Sequence, residues 1–132
     1  MKKSKKFIAL SMVLMSVLGF GIVSNAQTLP FEFRIGHGGA GSSGPASKED
    51  NEQNAYVTPV TVSGSGIVYA AVYGNADGKQ YTVDTPISVN HVYRRTARYY
   101  ITGHKNAKYY LIAQDSEYVV NGSLYAYGRW TP

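Results

Sequence analysis

The chain has 132 residues, 13 Lys and Arg against 8 Asp and Glu, a formal charge of +5, a sequence pI of about 9.4 and no cysteine. The lack of cysteine excludes disulfide staples, thiol chemistry and a lipid attached at a cleavage-site Cys. The basic balance excludes less than its size suggests, because it is concentrated at the start of the chain.

Lys2, Lys3, Lys5 and Lys6 precede an uncharged apolar run of 17 residues, Phe7 to Val23, which ends in Ser24-Asn25-Ala26. A positive start, an apolar centre and a small-residue exit predict a signal peptide over residues 1–26, cut after Ala26. A run of this length just reaches a bilayer span, so an uncleaved anchor is the alternative. Gly19, Gly21 and the small-residue exit favour cleavage. The long Lys-rich start has the look of a Gram-positive leader. Export would remove four of the basic residues and leave nine against eight acids, a formal +1. The pI therefore argues for neither a nucleic-acid partner nor a membrane surface. No later apolar stretch approaches 18 residues, so no stable membrane insertion is expected after cleavage. Residues 27–132 suffice for one domain held by a core alone.

All twelve tyrosines fall after residue 26, and Tyr with β-branched residues suits a pleated, half-buried surface. Phe31-Glu32-Phe33-Arg34-Ile35 alternates with period two, as a one-sided strand does. Tyr56 to Val62 reads as a second strand, confined by Pro59 to an edge or a bend. Ile67 to Tyr73 is apolar on both faces and reads as central. Gly74 to Gly78 is a turn cluster, and Lys79 to Val83 returns from it. Ile87, Val89, His91 and Tyr93 alternate again. Arg98 to Ile101 and Lys108 to Ala113 read as a hairpin through Gly103-His104-Lys105-Asn106. Glu117 to Val120 and Ser123 to Trp130 flank Asn121-Gly122, a strong hairpin signal. The expected fold is all-β: a small antiparallel β-sandwich, or partly open barrel, of about eight short strands.

Residues 36 to 54 interrupt this pattern with five glycines and no large apolar side chain. Such a stretch buries too little to offset its ordering entropy. It is expected as a flexible Gly/Ser-rich loop, a plain tether more readily than a binding loop. Residues 27–54 would then carry the first strand and this loop, and 55–132 the sandwich core. A short echo follows: Ala97-Arg98-Tyr99-Tyr100-Ile101 recurs as Ala107-Lys108-Tyr109-Tyr110-Leu111. Two copies are too few for a solenoid; the expectation is two arms of one hairpin with their tyrosines facing each other.

The pattern Ala97-x-Tyr99-Tyr100, Asn106, Leu111-x-Ala113-x-Asp115, Tyr118, Tyr125 and Gly128-x-Trp130 resembles a family of short secreted Gram-positive proteins, domain of unknown function twenty-seven-twelve. Phe31, Phe33, Ile35 and the Val62-Ser63-Gly64 step are similar too. The likeness is loose over most of the exported chain and better over 97 to 130. It implies export and a β fold, and brings no activity with it.

Chemistry-bearing constellations are scarce. His37, His91 and His104 have no metal-ligand spacing. No G-x-S-x-G elbow is present. Asp115 and Glu117 flank a turn, where Asp commonly caps its own backbone, and Asp84 stands apart from them. Gly64-Ser65-Gly66 is too short for a phosphate loop and precedes a strand. Asn121-Gly122-Ser123 matches a glycosylation sequon but reads better as a turn. No cofactor, metal or catalytic residue is expected.

One charge feature stands out. Between Asp84 and Asp115 there is no acid, while Arg94, Arg95, Arg98, Lys105 and Lys108 lie there among tyrosines. On a hairpin of this pattern Arg98 and Tyr100 share a face. The candidate anion-binding set is therefore Arg94, Arg95, Arg98, Lys105, Lys108 and Tyr100, with Arg gripping phosphate and Tyr stacking on sugar. The bland alternative is a solvated face whose basic stems cover tyrosine rings. The expected function is a secreted non-catalytic β domain binding an anionic cell-surface polymer such as a cell-wall polymer, another protein or its own copies. The competing class is a small secreted hydrolase with an unrecognised site.

Overall fold

The computed structural model describes residues 27–132, so the signal-peptide reading lies outside the described residues. Among the described residues, nine strands form two antiparallel sheets packed face to face: β1 (Leu29–Gly36), β2 (Ala40–Ser42), β3 (Ala46–Ser47), β4 (Asn54–Gly64), β5 (Val68–Gly74), β6 (Thr85–Ile87), β7 (Arg95–Arg98), β8 (Lys108–Gln114) and β9 (Ser123–Thr131). The first sheet runs β1-β9-β4-β7, and the second runs β2-β8-β5-β6 with β3 also on β8. This is the expected all-β sandwich, and the barrel alternative falls, because the two sheets do not close on each other. Among the described residues no helix is long and apolar enough to cross a membrane.

Period-two alternation explains which side of each strand is buried. Phe31, Phe33 and Ile35 of β1 point inward, as do Ala55 and Val57 of β4 and Leu124, Ala126 and Trp130 of β9. They meet Val68, Ala70 and Val72 of β5 and Tyr109, Leu111 and Ala113 of β8 from the other sheet. Pro59 sits where β4 shifts register, between Pro59 and Thr61, beyond the reach of β7. The expected bend is there, although β4 itself is interior. Gly128 of β9 lies opposite it. A Cβ at Gly128 would collide with the Thr58 carbonyl oxygen, so this central position admits no side chain.

Several local readings are corrected. The 36 to 54 stretch is not a plain loop: β2 and β3 pair with β8, and Lys48 within it is fully buried. Composition alone predicts that such small residues do not order. Instead they let the backbone lie close over the core, where a Cβ on Gly41 would strike the Phe33 ring. Residues 79–83 make isolated bridges, Tyr73 to Gln80 and Thr82 to Tyr99, rather than a strand. The alternation from Ile87 to Tyr93 ends at Ile87. Ser88 accepts from the Asn90 N–H, and the His91 N–H donates to the Ser88 carbonyl, closing a turn.

The two proposed hairpins do not exist. β7 belongs to the first sheet and β8 to the second. Residues 116–118 form a single 3-10 turn, so Asn121-Gly122 joins β8 to β9 across the sandwich instead of closing a ladder.

Candidate functional site

The outer face of the first sheet collects most of the arginine in the chain. On β1, Glu32 and Arg34 point away from the core. On β9, half-exposed Tyr125, Tyr127 and Arg129 alternate with buried neighbours. On β4, Tyr56 and Thr58 do the same, and Thr96 and Arg98 continue the face on β7. The register sets these rows side by side: Arg34 against Tyr125, Glu32 against Tyr127, Arg129 between Pro30 and Thr58, Tyr56 between Thr131 and Thr96.

Contacts tie the rows together. The Arg34 guanidinium lies 4.9 Å from the Tyr125 ring centroid, and the Tyr125 hydroxyl donates to Glu32 Oε2 at 3.0 Å. Arg94, just before β7, stacks 4.0 Å over the Tyr56 ring, whose hydroxyl donates to Glu52. Burial and then Glu32 push the Tyr125 and Tyr127 phenols upward. For Tyr56 the hydrogen bond to Glu52 comes first, then burial. All three rings are therefore neutral, flat and stacking-competent across the ordinary pH range. Arg–aromatic stacking keeps a guanidinium in place while leaving its N–H groups free to bind outward. The face carries four guanidinium groups, Arg34, Arg94, Arg98 and Arg129, against the carboxylates of Glu32 and Glu52.

The six residues expected to form one anion site are divided by the structure. Arg94 and Arg98 lie on the face just described. Arg95 follows the inward register opposite Val57 and turns at the rim, 5.2 Å from the Tyr93 ring, with Nη1 donating to the Tyr93 hydroxyl at 2.9 Å. Lys105 sits in the exposed turn before β8, and Lys108 on the outward row of β8 in the other sheet. Tyr100 leaves the first sheet altogether. Its N–H donates to the Tyr81 carbonyl of the chain beside the second sheet, and its phenol is near enough to Tyr73 to help raise that phenol, after burial and Asp84. The acid-free run was a feature of sequence order, not of one surface.

Arg34, Arg129, Tyr56, Tyr125 and Tyr127 were missed. The signal was present, since Arg34 alternates with the β1 core residues and Tyr125-x-Tyr127-x-Arg129 has period two. What was absent was the knowledge that β1, β4 and β9 are neighbours.

Other polar groups have local work. Asp115 accepts from the N–H groups of Gly38, Val119 and Val120 at 2.7, 2.8 and 3.1 Å. Burial pushes its carboxyl up, but those N–H groups, with His37 nearby, outweigh burial and hold it below its ordinary 3.8. His37 Nδ1 lies 3.0 Å from the Val120 carbonyl, and its ring stacks on Tyr118. His91 Nδ1 meets the Ser88 hydroxyl at 2.7 Å within a turn. Among the described residues no group of three or more His, Asp or Glu converges as a metal site would require. Lys48 is fully buried, with its ammonium 3.2 Å from Asp50 and 4.9 Å from the Tyr99 ring centroid.

No family model matches the chain, and neither curated proteins nor solved structures return a significant match.

Proposed function

We propose that this is a secreted, non-catalytic β-sandwich of Gram-positive type that holds an anionic cell-wall polymer on the outer face of its first sheet. One observation carries the reading: Arg34, Arg94, Arg98 and Arg129 share one face with Tyr56, Tyr125 and Tyr127. Arginine presents paired donors to phosphate, and a tyrosine ring offers an apolar plane to a sugar. The leader-like residues 1–26 and the family resemblance support export to the place where such polymers are found.

The experiment is binding to isolated Gram-positive cell walls, before and after removal of phosphate-bearing polymer. Binding should fall as salt rises, because exposed charges are screened beyond about 8 Å at physiological ionic strength. Changing Arg94, Arg98 and Arg129 together to Gln should abolish most of it while the circular dichroism spectrum holds. Lys105→Gln with Lys108→Gln should change little. Equal binding by the triple variant, or undiminished binding to stripped walls, would remove the reading; binding lost only after protease treatment of the walls would point to a protein partner.

A further inference from the structure

β1 is hydrogen-bonded to β9 on one side only, so its other side is an edge of the first sheet. At eight residues it is the longest edge strand among the described residues; β2, β3, β6 and β7 have two to four each. The edge at β7 is also partly covered, since the Val83 N–H donates to the Arg98 carbonyl and Thr82 bridges Tyr99. β2 packs against Phe33 and the Gly39 N–H donates to the Gly36 carbonyl, but no described strand other than β9 is hydrogen-bonded to β1. A row of N–H and C=O groups without a ladder partner is a template for another strand. β1 carries one proline, Pro30, near its start, and its outward side chains are a single acid–base pair, Glu32 and Arg34, on either side of Phe33.

That placement is self-complementary in one register. Turn a copy of β1 about a two-fold axis through Phe33 and lay it antiparallel on the original. Glu32 then faces the second copy's Arg34, and Arg34 faces the second copy's Glu32. Phe31 likewise meets Ile35, apolar against apolar on the inner side. Centring the axis on Glu32 or on Arg34 would instead set like charges opposite each other, which opposes pairing. We propose that two copies of this chain pair through β1 in the Phe33-centred register, joining two four-stranded sheets into one of eight strands. The contact is isologous, as closed dimers require. One strand ladder buries less than the roughly 1,200–2,000 Å² of a standard interface, so association depends on concentration. The dimer does not depend on the polymer-binding reading, although it would set two arginine–tyrosine faces edge to edge.

Register-specific cross-linking tests it directly. Opposed residues of an antiparallel pair lie about 4.5–5.5 Å apart at Cα, within disulfide reach of about 4.4–6.8 Å. The chain has no cysteine of its own. Full-length protein carrying Glu32→Cys, mixed with full-length protein carrying Arg34→Cys, should form a covalent heterodimer under mild oxidation. Neither variant alone should cross-link efficiently. In parallel, sedimentation velocity should show a monomer–dimer equilibrium for the unmodified chain. Arg34→Glu should weaken it about tenfold or more, and the double exchange Glu32→Arg with Arg34→Glu should restore it. A chain monomeric at every concentration, or cross-linking in the single-variant samples at the same rate as in the mixture, would overturn the proposal. So would a folded double exchange that fails to recover dimerisation.

Discussion

The two copies of the Ala-basic-Tyr-Tyr-aliphatic pentapeptide lead different lives. In the first, Ala97 and Arg98 end β7, Tyr99 is buried, and Tyr100 and Ile101 stand exposed after the chain has left the sheet. In the second, Lys108 opens β8, and Tyr109 and Leu111 are buried in the core. The copies occupy opposite sheets, yet their inner tyrosines meet, Tyr99 edge-on to Tyr109 at 5.9 Å. The tyrosines do face each other, across the core rather than across a hairpin. Alternation decides which side of a strand is buried; it is silent about which strand lies next door.

Their aliphatic ends should differ most. Leu111→Ala should cost about 2–5 kcal/mol, as buried truncations do, and Ile101→Ala less than about 0.5 kcal/mol, as at an open surface. Urea melts of both variants measure this, and equal costs would break the comparison. Next come the groups covering Tyr99. Asp50→Ala leaves the Lys48 ammonium without its carboxylate and should cost about 1–3 kcal/mol. Lys48→Met, which keeps the stem and discards the charge, should cost less. The reverse order would show that the ammonium, not the stem, holds this corner.

The phenols differ more finely. The Tyr109 hydroxyl accepts from the His104 N–H at 2.9 Å, whereas the buried Tyr99 hydroxyl has no hydrogen-bond partner. Tyr109→Phe should therefore cost about 1 kcal/mol and Tyr99→Phe nothing or a small gain. Burial, then Tyr109 and Asp50, pushes the Tyr99 phenol far above 10.0. The stability it contributes is whole below pH 10 and falls as pH rises beyond it. Alkaline melts of Tyr99→Phe should lose less stability above pH 10 than the parent. At the acid end, Asp115 has a folded value below its ordinary 3.8. Its contribution is present above that pH and lost as pH falls through it, so Asp115→Asn should flatten the acid limb of a stability profile.

Sequence gave away the fold class because the strongest patterns, in β1, β5 and β9, are strands whose buried faces read as strict alternation or a continuous apolar run. It gave away less of the connections. Asn121-Gly122 has the composition of a hairpin turn, but just before it Asp115 binds the N–H groups of Val119 and Val120, with that of Gly38 from across the fold, and the chain is diverted into the other sheet. The stretch at 36–54 failed for the opposite reason: its order comes from pairing with β8, more than sixty residues further on, which local composition does not show. Half of the candidate face was legible, because Arg94 and Arg98 are close in sequence. Arg34 and Arg129 are separated from them by much of the chain and join them only through β9.

β9 has a further consequence, and it concerns time. It is the last strand among the described residues yet sits inside the first sheet, between β1 and β4. Ribosomes add about 5–20 residues per second, so Phe31, Phe33 and Ile35 are made seconds before the strand that covers their edge exists. Until Trp130 is delivered, β1 and β4 have no common neighbour, and half the sandwich cannot assemble. The order of synthesis thus leaves β1 and β4 without the strand they share until β9 has been made.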